Sequence, residues 1–112
     1  MSGYKALVKA YWETYRPNAL AALAETTPGT FFAQVSEEIE ELIAEYRDDY
    51  REEYREETPP GTDFRVVIGY LNMATMRARE RALHEMVYGL AKEPGTEDKE
   101  MPEVSLPKIT AG

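Results

Sequence analysis

The residues best placed to do chemistry fall in one run. Between Tyr46 and Glu57 the unit Tyr-Arg-acid-acid occurs three times, at Tyr46–Asp49, Tyr50–Glu53 and Tyr54–Glu57. Closely spaced carboxylates suggest general acid–base catalysis, but that chemistry needs two carboxyls held in a cleft with separated pKa values. On a helix this run forms a convex surface, so hydrolysis is disfavoured. Two other readings remain. Asp48 with Arg51 and Glu52 with Arg55 have the i,i+3 spacing of weak supporting pairs on a solvated helix. Alternatively, Asp48, Asp49, Glu52, Glu53, Glu56 and Glu57, interleaved with Tyr50 and Tyr54, imitate the charge and stacking of a nucleic acid and fill a basic groove on a partner. Four residues turn a helix by about 400°, so the tyrosines drift about 40° per repeat and are expected to wind round the surface.

Other chemistries lack their residues. The chain has no cysteine and one histidine, His84. A thiolate site, a cysteine nucleophile or a multi-histidine centre is therefore impossible within one chain. Glu80 and Glu85 flank His84, but a di-metal bundle needs Glu-x-x-His from two helices, so His84 is read as a surface residue. Glycine-rich phosphate loops, nucleophile elbows and zinc spacings are not found. The chain is expected to be non-enzymatic and to carry no cofactor or metal. Asn72 and Arg79, seven residues apart, lie within about 20° of each other inside an apolar arc. Arg79 is expected to pair with an acid of a facing helix and Asn72 with backbone or tyrosine, fixing register. The competing expectation is that this strip contacts a second subunit or target protein. Arg77, Arg81 and Lys92 form a basic strip able to touch DNA in a regulator.

These groups must be held by a chain of 112 residues, long enough for one domain. Hydrophobic residues are 43% and the formal net charge is −8. That charge disfavours attraction to nucleic acid or anionic membrane. It is also unevenly spread. Residues 35–63 hold twelve acids against Arg47, Arg51 and Arg55, a net −9, whereas residues 64–92 net +3. An acidic helix should lie beside a basic one. No apolar run approaches the ~18 residues of a membrane span, and no basic-then-apolar leader opens the chain, so a cytoplasmic address is expected.

Three Pro/Gly clusters, Thr27-Pro28-Gly29, Thr58-Pro59-Pro60-Gly61 and Glu93-Pro94-Gly95, divide the chain into four pieces. Tyr4, Leu7, Val8, Tyr11, Trp12 and Tyr15 line one face of a helix that Ser2 caps. Pro17 ends that helix and starts a short second one carrying Leu20 and Leu23. From Thr30 to about Glu57, Phe32, Val35, Ile39, Leu42, Ile43, Tyr46 and Tyr50 form a narrow apolar stripe. From Asp63 to about Ala91 a wider arc includes Val67, Leu71, Ala74, Ala78, Leu83 and Val87, so this helix is expected to be the more buried. The two long helices, joined by Thr58–Thr62, should form an antiparallel hairpin, with the N-terminal helices covering its remaining apolar side. The fold class is all-α: residues 1–91 a single helical domain, residues 92–112 an extended or flexible acidic tail on which Val104, Leu106 and Ile109 are candidates for docking. Pairing of two hairpins into a four-helix bundle would make a homodimer.

The run from Leu71 to Tyr88 resembles the C-terminal helix of the TnpV family, small proteins encoded by transposons and related mobile elements. Asn72, Arg77, Ala78, Arg79, Glu80, Leu83, Glu85 and Tyr88 carry the likeness. Tyr15-Arg16-Pro17, followed by Leu20 and Leu23, resembles that family's N-terminal Arg-Pro junction. Val67 stands where the family tends to have Trp, and the Tyr-Arg-acid-acid repeats are peculiar to this chain. The resemblance implies a mobile-element or phage accessory protein and supplies no established activity. Together with the charge, it leads to the expectation of an acidic protein that binds a basic partner, such as a nuclease or recombinase, at its nucleic-acid site.

Overall fold

The computed structural model describes residues 3–26 and 30–108, and every element in them is helical or irregular. Four α-helices follow in order: α1 (Lys5–Tyr15), α2 (Pro17–Thr26), α3 (Phe31–Glu57) and α4 (Phe64–Leu83). A π-helical turn, His84–Tyr88, prolongs α4. Helices α3 and α4 form the expected antiparallel hairpin, and α1 packs on α3 and on the π turn. The molecule is elongated, 57 × 29 × 21 Å.

Local chemistry explains the boundaries. Pro17 lacks the N–H that would prolong α1, and its fixed φ suits the first position of α2. Thr30 precedes α3 without a side-chain capping bond, and Ser2 and Thr27–Gly29 lie outside the described residues. The Asp63 carboxylate caps α4 by accepting from the Arg65 amide at 2.8 Å. Between the long helices, Thr58 Oγ1 donates to the Tyr54 carbonyl and Thr62 Oγ1 to the Pro59 carbonyl, both at 2.5 Å. Gly61 turns the chain at φ 81°. Regular α-geometry stops at Leu83, short of the predicted Ala91. There the Gly89 amide donates to the His84 carbonyl at 2.7 Å. A Cβ on Gly89 would lie 2.6 Å from that carbonyl oxygen, so the wide turn depends on the missing side chain.

The core sits at one end of the hairpin. Tyr4, Leu7, Val8, Tyr11 and Tyr15 of the N-terminal region meet Phe32 and Ile39 of α3 and Leu83 and Val87 beyond them. The buried Ser36 Oγ accepts from the Tyr4 amide at 2.8 Å, and the Tyr11 hydroxyl donates to the Leu90 carbonyl at 2.7 Å. Helix α1 has 11 residues, about 16 Å of rise, whereas the 27 residues of α3 rise about 40 Å. The N-terminal helices therefore cannot cover the whole hairpin. Away from the core, α3 is the main packing partner of α4 among the described residues, with Ala74 and Ala78 fully buried, and the side of α4 carrying Val66, Met73 and Met76 is exposed. The expected deep burial of the wide α4 arc is met at Ala74, Ala78, Leu83 and Val87 but fails at its start, where Phe64 is 74% exposed.

Residues 92–108 contain no helix or strand, as expected of an extended segment, yet they are docked rather than free. The Tyr15 carbonyl accepts from the Glu93 amide at 2.8 Å, and the Tyr15 hydroxyl donates to the Lys99 carbonyl at 2.7 Å. Met101, Val104 and Leu106 pack against the core. Ile109 lies outside the described residues. Glu93 also serves α2 directly, its two carboxylate oxygens accepting from the Asn18 and Ala19 amides at 3.0 and 2.8 Å.

Candidate functional site

Helix α3 presents two faces of opposite character. Its inner face carries the three repeat tyrosines to α4, where the step of four from Tyr46 to Tyr50 meets the step of four back from Arg81 to Arg77. The Arg81 guanidinium lies 3.9 Å from the Tyr46 ring centroid, and that of Arg77 lies 4.1 Å from the Tyr50 centroid. Tyr54 stacks on Tyr70 at 5.3 Å with the rings 10° from parallel, and its hydroxyl accepts from Arg77 Nη1 at 3.1 Å. The Tyr46 hydroxyl donates to Glu85 Oε2 at 2.5 Å, while Arg81 Nε lies 3.4 Å from Glu85 Oε1. Tyrosine, arginine and glutamate thus form a clasp across the hairpin.

Mutual hydrogen bonding shifts these groups in consistent directions. The bond to Glu85 raises the Tyr46 pKa, because losing the proton would set two anions together, and the same bond lowers that of Glu85. Bonds to Tyr54 and Tyr50 hold Arg77 and Arg81 respectively even more firmly protonated. The expected drift of the tyrosines round the surface does not separate them: about 80° across three repeats is spanned by long side chains that all reach α4. All three rings are half-buried. Tyr50 and Tyr54 are therefore engaged within the chain.

The outer face of α3 is a carboxylate ridge. Glu37, Glu38, Glu41, Glu45, Asp48, Asp49, Glu52 and Glu56 are all exposed and fall within about 120° of arc, on the side away from α4. The 19 steps from Glu37 to Glu56 rise about 28 Å, or about 4 Å per charge, close to the ~3.4 Å per phosphate of one DNA strand. Arg55 pairs with Glu52 at 3.1 Å, the predicted i,i+3 contact, and Asp48 meets its neighbour Arg47 at 3.6 Å. Glu53 stands off the ridge, 4.0 Å from Arg77, and the exposed Glu57 closes the helix.

The remaining candidates are placed elsewhere. Arg79 donates from Nη1 to the Pro107 carbonyl at 2.5 Å, so its partner is the docked C-terminal segment rather than an acid of the facing helix. Only the extended chain brings that carbonyl to this flank of α4, which is why spacing within α4 could not reveal it. Asn72 is half-buried on the same helix, and His84 is exposed. Lys92 lies 4.2 Å from the Tyr15 ring centroid, so Arg77, Arg81 and Lys92 each sit against a tyrosine. Among the described residues no group of three or more His, Asp or Glu is placed to hold a metal ion. Nor is any helix there long and apolar enough to cross a membrane. A cleft of ≈ 340 Å³ at the far end of the hairpin is lined by Arg51, Tyr54, Arg55, Thr58, Val67, Tyr70 and Leu71, without a carboxylate or imidazole. Sequence spacing missed Glu85 and Glu93; the signal for Glu85 was the matched four-residue spacing of Tyr46 and Tyr50 against Arg81 and Arg77. No family model, curated protein or solved structure matches the chain.

Proposed function

We propose that the protein is a non-enzymatic accessory protein that acts by protein–protein binding, its acidic ridge occupying the basic nucleic-acid site of a nuclease or recombinase. The observation that carries this reading is the ridge itself: eight exposed carboxylates in one band, whose mean axial rise of about 4 Å per charge is close to the ~3.4 Å per phosphate of a DNA strand. Because Tyr50 and Tyr54 face inward, the mimicry rests on charge and not on stacking, which narrows the contact set to Asp48, Asp49, Glu52 and Glu56 with Glu37, Glu41 and Glu45 above them. An origin in a mobile element or phage rests on the resemblance to the TnpV family alone.

Capture of partners on the immobilised chain, followed by competition with duplex DNA, tests the proposal. DNA should displace the partner, and affinity should fall steeply as salt rises. Replacing Glu41, Glu45, Asp48 and Glu52 by lysine should abolish capture. Retention of the same partner by that variant refutes the ridge as the binding surface.

A further inference from the structure

We propose that the open outer face of α4 is a self-association surface on which a second copy of the chain packs antiparallel. Val66, Gly69, Met73 and Met76 recur at steps of three, four and three, the a/d spacing of a coiled-coil seam. They fall in an arc of about 80°, roughly 150° round the helix from Val67, Leu71, Ala74 and Ala78, which face α3. Val66, Met73 and Met76 are 43%, 50% and 49% exposed. The seam therefore has no partner in its own chain among the described residues.

Gly69 is the second sign. It lies inside α4 without a positive φ, and a Cβ built on it meets nothing within 4 Å. Glycine is a poor helix former, and nothing among the described residues of its own chain requires one at this point. What it provides is a flat place for close approach by another chain. Antiparallel packing about a twofold axis near Leu71 sets Gly69 against Met73 of the second copy and Val66 against Met76 of the second copy. A flexible thioether then fills each hollow.

Charge identifies the occupant as the same chain. Arg65 and Glu80 are exposed at opposite ends of the seam and take part in no ion pair among the described residues. Helical side chains lean toward their own N-terminus, so in this register Arg65 of each copy reaches Glu80 of the other. Two reciprocal pairs result, the self-complementarity that a twofold contact needs. Parallel packing would instead set Arg65 against Arg65 and Glu80 against Glu80.

Sedimentation velocity of the full chain, from micromolar to millimolar, tests this. A concentration-dependent dimer is expected. Arg65→Glu and Glu80→Arg should each weaken it about tenfold, and the double variant should restore it. Met73→Glu should weaken it about a hundredfold by placing an unpaired charge in the seam. Gly69→Lys should abolish the dimer while raising the melting midpoint of the dilute monomer, a pairing of effects that misfolding cannot produce. Lysine substitutions on the α3 ridge should leave the dimer unchanged, so this surface and the ridge are tested separately. A monomer at every concentration, a dimer indifferent to Met73→Glu, or a double variant that fails to recover would each overturn the proposal.

Discussion

Replacing Glu93 by alanine should unfold α2 locally and destabilise the whole chain, although Glu93 lies 74 residues from the amide it serves at Ala19. At the start of α2, Arg16 occupies the cap position, and its side chain offers no accepting oxygen to the first amides of the helix. Pro17 offers no N–H, so the first amides needing a partner are those of Asn18 and Ala19. Glu93 satisfies both with its two oxygens, at 3.0 and 2.8 Å. Losing a helix cap typically costs about 1 kcal/mol, and losing a carboxylate from a helix N-terminus costs about 0.3–1 kcal/mol more. The expected loss is therefore about 1–2 kcal/mol. With an unfolding entropy of about 2.1 cal/mol/K per residue, a chain of 112 residues shifts by about 4 °C for each kcal/mol. Thermal melting followed by circular dichroism should place Glu93→Ala about 4–8 °C below the parent. Glu93→Gln, which keeps one accepting oxygen, should fall between them. Hydrogen exchange should rise at Asn18 and Ala19 first. A Glu93→Ala midpoint within 1 °C of the parent, or exchange unchanged at those two amides, would show that the C-terminal segment does not support α2.

Ile39, fully buried at the junction of α1, α3 and the π turn, should lose about 2–5 kcal/mol on replacement by alanine, read as a melting midpoint lowered by roughly 8–20 °C. Because the folded pKa of Glu85 lies below its unfolded value, its contribution is complete above about pH 4.3 and is lost as pH falls through the folded pKa. Acid titration should accordingly show Glu85→Gln less sensitive to pH than the parent below about pH 4.3, with Tyr46→Phe sharing that reduced sensitivity. Since Arg77 and Arg81 are held by tyrosines and glutamates, the full chain should give no electrophoretic shift of duplex DNA at low salt; a shift removed by Arg77→Met would instead favour direct DNA contact.

The hairpin was legible because its signals are local and periodic. The stripe from Phe32 to Tyr50 fixes one face of α3, and Pro17, Asp63 and the Thr58–Thr62 connection mark ends whose chemistry does not depend on the rest of the fold. The Tyr11, Leu7 and Val8 face of α1 was legible for the same reason. Contacts that need an extended segment to return across the helices were not. Glu93 on α2, Arg79 on the Pro107 carbonyl and Lys99 on Tyr15 have no spacing rule, since residues 92–108 follow no period that could be matched to a helix face. The π turn was hidden for a different reason. Val87 and Leu90 continue the α-helical pattern, and only the approach of the His84 carbonyl to Gly89 shows that one residue has been added to the turn. For the candidate site, the acids of the ridge were visible and the direction of the tyrosines was not. A drift of about 40° per repeat describes where Cα atoms lie, whereas a phenol ring reaches far enough to cancel it.

The distribution of charge along the hairpin gives the tyrosine clasp a purpose. On the ridge, Glu37, Glu41, Glu45 and Asp49 follow one another at i,i+4, as do Asp48, Glu52 and Glu56, and each such like-charge step opposes the helix. Beyond the reach of α1, the element among the described residues that holds α3 against this repulsion is α4. A salt bridge for every acid would serve, but it would also cancel the ridge. The clasp instead takes the positive charge of Arg77 and Arg81 onto tyrosine faces on the inner side, with Glu53 and Glu85 as their anionic partners. Most of the outer carboxylates are thereby left without an arginine. The arrangement secures the hairpin through contacts directed inward while leaving a largely unneutralised acidic band directed outward, which is what the proposed binding of a basic partner requires.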